Sequence, residues 1–142
     1  MFDCIFKYKL RKLNLNNTIK FLPNIRYGKV IKVYDGDTIT IGTIINNRNY
    51  QFQIRLNRLD TPELKTKNGI EKKAAIYVRD KLIEKILYQI VNIKIIKYDK
   101  YGRLLSEIYF NNENINDWLL NNKYAVPYNG DTKSINDWSH LI

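Results

Sequence analysis

Tyr50-Gln51-Phe52-Gln53-Ile54-Arg55-Leu56 alternates apolar and polar side chains without a break. Because a strand has a side-chain period of two, Tyr50, Phe52, Ile54 and Leu56 fall on one face, and Gln51, Gln53 and Arg55 on the other. Arg55 therefore points away from the apolar side. Upstream, Asn46-Asn47 predicts a hairpin turn and Thr38 to Ile45 a β-branched strand. Asp35-Gly36 predicts the turn before it, preceded by Gly28 to Tyr34, where lysines alternate with Val and Ile. Downstream, Asn68-Gly69-Ile70-Glu71 predicts a capping box, with Asn68 as N-cap and Glu71 reaching back to its amide. Ile70, Ala74, Val78, Leu82 and Ile86, widened by Ala75, Ile83 and Leu87, predict a helix with a core-facing stripe. Ile90 to Tyr98 and Arg103 to Phe110 predict two more strands, joined by a turn at Asp99 to Gly102. Asn114 to Asn122 predicts a short second helix, and Thr132 to Leu141 a weaker third.

Five strands with a helix between the third and fourth is the order of a Greek-key OB barrel. The expected class is thus α+β, mainly β: a five-stranded OB-fold barrel with two to three helices. The chain of 142 residues suits one domain, placed at 25–142. Residues 1–24 read as a basic N-terminal extension with little built-in order, whose apolar patch at Ile19, Phe21 and Leu22 could dock on the domain. Whether that extension addresses, anchors or grips is left open.

The formal charge is +10, a strength of basic surface that concentrates polyanions such as nucleic acid or acidic lipid. From Met1 to Tyr34 there are eight Lys or Arg against the single acid Asp3. Cys4 is the one cysteine and His140 the one histidine, which rules out an intramolecular disulfide and a cysteine zinc cage. Any chemistry must use carboxylates, arginines, tyrosines and an oxygen-bound metal. No apolar run approaches the roughly 20 residues of a membrane span, and no secretory cleavage site follows the N-terminus. The expectation is an intracellular, cytoplasmic monomer.

Three turn or strand-end segments carry the candidate chemistry: Asp35-Gly36-Asp37-Thr38, Arg55 with Asp60-Thr61-Pro62-Glu63, and Asp99-Lys100-Tyr101-Gly102-Arg103. Singly, each is an ordinary turn composition. In a barrel, strand ends converge, and the joint inventory matches phosphodiester hydrolysis: charge neutralisation, transition-state stabilisation and an activated water. Asp37 and Asp60 offer hard oxygens to a divalent cation, completed by a backbone carbonyl and waters. Glu63 can orient or deprotonate the water, and Arg55 and Arg103 can clamp phosphate oxygens. Two carboxylates are few for calcium, so metal and nucleotide should bind synergistically.

These three segments, in this order, resemble the staphylococcal-type thermonucleases. The resemblance runs from about Tyr27 to Gly130 and rests on Val33-Tyr34-Asp35-Gly36-Asp37-Thr38, on Ile54-Arg55-Leu56 before Leu59-Asp60-Thr61-Pro62-Glu63, and on Asp99-Lys100-Tyr101-Gly102-Arg103. It implies an OB barrel with three helices and a calcium-dependent nuclease acting on DNA and RNA, leaving 3′-phosphate ends. It further implies that Asp37, Asp60 and the Thr61 carbonyl bind one calcium ion, that Arg55 and Arg103 hold the phosphate, and that Glu63 serves the water. Asp35 matches a neighbouring acid that supports the ligands, and Lys100, Tyr101 and Tyr128 match positions that contact the nucleotide. The chain departs from the pattern in a shorter loop after Glu63 and a truncated C-terminal helix with Trp138 as anchor.

No base-reading module is apparent, so recognition should be sequence-nonspecific and salt-sensitive, with tyrosine stacking favouring single strands or easily opened duplex. The alternative is a catalytically silent SN or OB module that binds nucleic acid or a protein partner. A basic structural protein of a ribonucleoprotein would leave the acidic cluster without a purpose.

Overall fold

A computed structural model of the chain describes residues 2–142. The three expected N-terminal strands are β1 (Tyr27–Val33), β2 (Thr38–Ile45) and β3 (Arg48–Leu56), paired antiparallel in order. Asn46 and Asn47 both take positive φ, 50° and 64°, the two left-handed residues that a tight hairpin needs and that asparagine tolerates. After the short β4 (Leu59–Asp60) the helix appears, followed by β5 (Ile90–Tyr98) and β6 (Leu104–Phe110). β5 joins β1 and β6 antiparallel, and β6 runs parallel to β3 through Ile54↔Leu104, Arg55↔Leu105 and Leu56↔Ser106. That last pairing closes a five-stranded mixed barrel, with residues 48–53 of β3 paired to β2 alone. Register shifts at Val30/Lys32 in β1 and Ile95/Lys97 in β5 mark bulges that curl the strands toward closure.

The inward strand residues Val30, Ile39, Ile41, Ile54, Leu56, Val91, Leu104 and Ile108 are fully or almost fully buried. α2 (Gly69–Ile86) buries Ala74, Ala75, Val78, Leu82 and Ile86. Ile70, at the solvent end, remains half exposed. Cutting one of the fully buried leucines back to alanine typically costs about 2–5 kcal/mol, so this stripe holds the helix to the barrel. The Asn68 side chain accepts from the amides of Ile70 and Glu71 as an N-cap should. Glu71, however, does not return to the Asn68 amide. Its carboxylate accepts from the Glu63 amide and the Thr66 hydroxyl, and Thr66 takes the Asn68 amide instead. The intended second half of the box thus ties the 61–67 loop to the helix.

Past β6, Asn111 and Asn112, again both at positive φ, form a second tight turn into β7 (Glu113–Asn114), which the sequence reading missed. α3 (Ile115–Asn121) follows, capped by the Asn114 side chain on the Asp117 amide. β8 (Val126–Pro127) pairs with β4. The expected helix over Thr132 to Leu141 is not formed: the chain there is irregular, and only Ser139–Leu141 makes a 3-10 turn. A helix through that stretch would have needed a buried face, yet Ile135 is wholly exposed, and Gly130 (φ 95°) belongs to a turn. Trp138 is buried, as an anchor should be.

At the other end, α1 (Phe2–Leu10) is helical with no buried residue. The patch expected to dock does not: Ile19 and Phe21 stay largely exposed, and burial begins at Pro23 and Ile25. No helix among the described residues is long and apolar enough to cross a membrane.

Candidate active site

The barrel closes so that the β1–β2 turn, the end of β3 and the β5–β6 turn meet at one mouth. Asp35, Gly36 and Asp37 form the first of these. A Cβ on Gly36 would lie 2.5 Å from the Val78 side chain and 2.9 Å from Thr61, so only glycine lets this turn sink between α2 and the 59–63 segment. The Asp35 carboxylate accepts from the Asp37 amide (3.2 Å), an Asx turn that aims Asp37 inward. Asp37 Oδ1 accepts from the Thr38 hydroxyl (3.0 Å), and Oδ2 from the Thr61 amide (3.3 Å).

Arg55, which strand alternation puts away from the apolar face, is nonetheless buried. The chain after Leu56 folds over it: Nη1 donates to the carbonyls of Leu56 (2.8 Å) and Leu59 (3.0 Å). Nη2 stands 3.4 Å from both Asp37 Oδ2 and Asp60 Oδ1. One guanidinium nitrogen thus lies between two carboxylates that are 23 positions apart in sequence.

Around this centre opens a cleft of about 1250 Å³, whose walls include Asp35, Asp37, Arg55, Glu63, Lys100, Tyr101, Arg103, Tyr128 and Lys133. Arg103 is held by Asp99, whose carboxylate accepts from Nε (2.6 Å) and from the Arg103 amide (2.9 Å). Its Nη1 donates to the Thr38 hydroxyl (3.3 Å), so Thr38 links Arg103 to Asp37. The Tyr101 ring is exposed, with the Arg103 guanidinium 5.3 Å and the Lys100 ammonium 5.2 Å from its centre. The Tyr128 hydroxyl donates to the Asp131 carbonyl, folding the 128–133 loop against the opposite wall. Every residue singled out in the sequence is therefore at this mouth, with Asp60 and Thr61 set beneath its lining and reached through Arg55, Asp37 and Lys133.

Lys133 was not anticipated. Its ammonium bridges Asp60 Oδ1 (2.9 Å) and Glu63 Oε1 (2.5 Å). Reading Thr132 onward as helix concealed it; the turn-forming string Asn129-Gly130-Asp131 just before was the available signal for a loop that reaches back to the mouth. Thr38 and Glu71 were named in the sequence only as parts of a turn segment and a capping box; their contacts with Arg103 and the Glu63 backbone were not foreseen.

The electrostatics are lopsided. Burial, with the Asp37 charge added, pushes Asp35 up to about 8. Burial works against the charged form of Asp37 too, but Arg55 and hydrogen bonds from Asp35, Thr38 and Thr61 hold its carboxyl below the usual range. Asp60 is raised by burial, which the Lys133 ammonium only partly offsets. Lys133 loses from its own burial and gains more from Glu63 and Asp60, and is held firmly charged. Thr61 Oγ1 is buried with no hydrogen-bond partner among the described residues.

This donor set suits a hard divalent cation. The Asp37 and Asp60 carboxylates are hard oxygen donors that face one point, held in this structure by Arg55 Nη2, and Asp35 beside them is raised by burial and by the Asp37 charge. Among the described residues no group of three or more acidic, histidine or cysteine side chains has ligating geometry, so backbone oxygen and water would have to complete the shell.

The family model of the staphylococcal nuclease homologues matches residues 53–140. Its match begins inside β3, so Asp35 and Asp37 lie outside it and stand on geometry alone. Curated relatives include an uncharacterized protein of Methanocaldococcus jannaschii, 32% identical over 72% of this chain and 59% of its own length. Another, from Bacillus anthracis, is 31% identical over 82% of this chain and 50% of its own. A protein of Haemophilus influenzae named as an uncharacterized endonuclease is 30% identical over 70% of this chain and 51% of its own. The chain spans about half the length of these relatives, or slightly more. With the matched segment covering well over half of the sequence and the barrel closed as described, the chain belongs to the staphylococcal nuclease homologue family.

Proposed function

We propose that the chain is a calcium-dependent, sequence-nonspecific nuclease that hydrolyses the phosphodiester bonds of DNA and RNA and leaves 3′-phosphate ends. One observation carries the reading. Two of the three segments bring Asp37, Arg55 and Asp60 to one point, under a cleft that Glu63 and, from the third segment, Arg103 also line.

In this reading Asp37, Asp60 and the Thr61 carbonyl would hold one calcium ion, which when bound supplies positive charge against the phosphate. Arg103, already oriented by Asp99 and Thr38, hydrogen-bonds the phosphate oxygens as charge builds on them. Arg55 lends its remaining charge from the other side. Glu63 takes the proton of the attacking water, the new bond forms to phosphorus, and the bond to the 5′ oxygen breaks with a proton passing to that oxygen. Asp35 fixes the Asp37 turn. Tyr101, exposed beside Lys100, offers a ring for a base to stack on, which supports a preference for single strands or easily opened duplex. Tyr128 offers a second ring from the facing loop.

The test is cleavage of plasmid and single-stranded RNA in calcium, in magnesium and in chelator, with end-group analysis of the products. The proposal expects both substrates to be degraded in calcium, to survive in chelator, and to yield 3′-phosphates. Retardation of nucleic acid without cleavage in any cation would instead support a silent binding module.

A further inference from the structure

Helix α1 contributes nothing to the barrel, since none of its residues is buried. Isolated helices shorter than about 12–15 residues are marginal in water, so a nine-residue helix of this kind needs a surface to lie on. Its residues describe that surface. Phe2, Ile5, Phe6 and Leu10 recur at three- and four-residue spacing, and the next turn, closed by the Leu13 amide on the Leu10 carbonyl, adds Leu13 to the same side. All five are exposed, Phe2 by 91%.

Away from this stripe lie Lys7 and Arg11, with Lys12 at its edge. Lys9 falls within the stripe, where a lysine stem can lie on apolar surface while its ammonium reaches outward. The one acid, Asp3, is paired with Lys7. A hydrogen-bonded turn from Asn14 to Thr18 and the exposed Phe21 separate the helix from the first buried residue, so the helix is not pressed against the cleft.

Three kinds of partner can be compared. Nucleic acid would answer the cations and leave five large apolar side chains in water. An apolar protein groove would cover the stripe and leave the charge unanswered. An anionic bilayer does both, accepting the apolar side chains at the acyl boundary and the cations among its head groups. We infer that α1 is an interfacial helix that docks the protein on an anionic lipid surface.

The experiment is flotation of the full chain, in chelator and without nucleic acid, with vesicles of phosphatidylcholine or of phosphatidylcholine mixed with phosphatidylserine. The mixed vesicles should carry at least about tenfold more protein, because each basic residue near an anionic surface adds to binding. The double variant Ile5→Glu/Phe6→Glu and the quadruple variant Lys7→Ala/Lys9→Ala/Arg11→Ala/Lys12→Ala should both lose that binding. Since these residues are exposed, both variants should keep the thermal transition of the parent. Absence of flotation overturns the inference, as does equal binding to neutral vesicles. Undiminished binding by the Ile5→Glu/Phe6→Glu variant overturns it too, because the barrel's charge would then suffice. A parent dimer that this variant dissolves would assign the stripe to a second copy instead, and weakened DNA binding with unchanged flotation would assign the cations to nucleic acid.

Discussion

Two charged clusters meet at the β3–β4 turn, one through Arg58 and the other through Arg55 and Asp60, and they are built on different terms. In one, Arg58 hydrogen-bonds Glu107 and Asp117, while the fully buried Asn116 donates to the carbonyls of Asn57 and Ser106 and to Glu107, and accepts from the Ile108 amide. Each acid there has a partner, and the two acids hold the Arg58 guanidinium firmly charged. That network welds α3 and β6 to the β3–β4 turn. In the other cluster, Asp37 and Asp60 share Arg55, Asp60 and Glu63 share Lys133, the neighbouring Asp35 is driven up to about 8, and a buried hydroxyl has no partner among the described residues. A buried polar group is normally satisfied because leaving it unpaired is costly. In the second cluster the raised Asp35 and Asp60 carboxyls and the unpartnered Thr61 hydroxyl are the least satisfied groups, which is what the cation and phosphate proposed above would answer.

The sharpest way to separate the clusters is Arg103→Ala. Arg103 has one acid, Asp99, and lines the cleft, so its loss should lower turnover about 10²- to 10³-fold, as removing one transition-state donor does. Steady-state cleavage and a thermal melt check it: turnover should collapse with the transition little moved. Arg55→Ala makes a poorer probe, because removing it also frees the Leu56 and Leu59 carbonyls and strands two buried acids.

Asn116→Ala should do the reverse. It strips a fully buried amide whose partners then go unsatisfied, for a loss of about 2–4 kcal/mol in denaturant unfolding. Turnover per folded molecule should stay within about twofold. Loss of turnover with unchanged stability would put this network in the mechanism and undo the comparison.

Asp35→Asn should stabilise the metal-free protein. The folded chain keeps a proton on Asp35 that the unfolded chain has released, so between the ordinary 3.8 and about 8 the wild type loses stability as pH rises. The substituted amide removes that penalty and can still accept from the Asp37 amide. A gain of more than about 1 kcal/mol at pH 7–8, fading toward pH 4, is expected from paired unfolding curves. A gain independent of pH would contradict the charge explanation. The smallest effect concerns Lys133, whose half-exposed ammonium stands on two of the acids. Lys133→Met should tighten calcium binding by about two- to fivefold, the weight of a partly screened ion pair.

Much of this could be read in advance, and the misreadings have physical causes. Strands β1 to β3, α2 and the closing strands follow from side-chain period, because one face of each is buried and a shifted register would expose it. The acids and arginines were legible as segments, since turn chemistry and charge are local. What strand alternation could not give was the fold-back of residues 56–60 over Arg55, which turns a nominally outward residue into a buried one. Lys133 was lost for a related reason: its place depends on a loop whose course is set by contacts with Asp60 and Glu63, not by its own periodicity. The Glu71 carboxylate left its expected partner because the Glu63 amide, brought near by the same loop, was there to take it.

Calorimetric titration of calcium, alone and with a non-cleavable nucleotide present, measures most directly whether the mouth takes a cation and a phosphate together. Weak binding alone that tightens at least about tenfold with nucleotide is the predicted result, since two carboxylates leave a calcium shell incomplete until phosphate oxygens join it. An affinity that is the same with and without nucleotide, or no binding in either case, would contradict it.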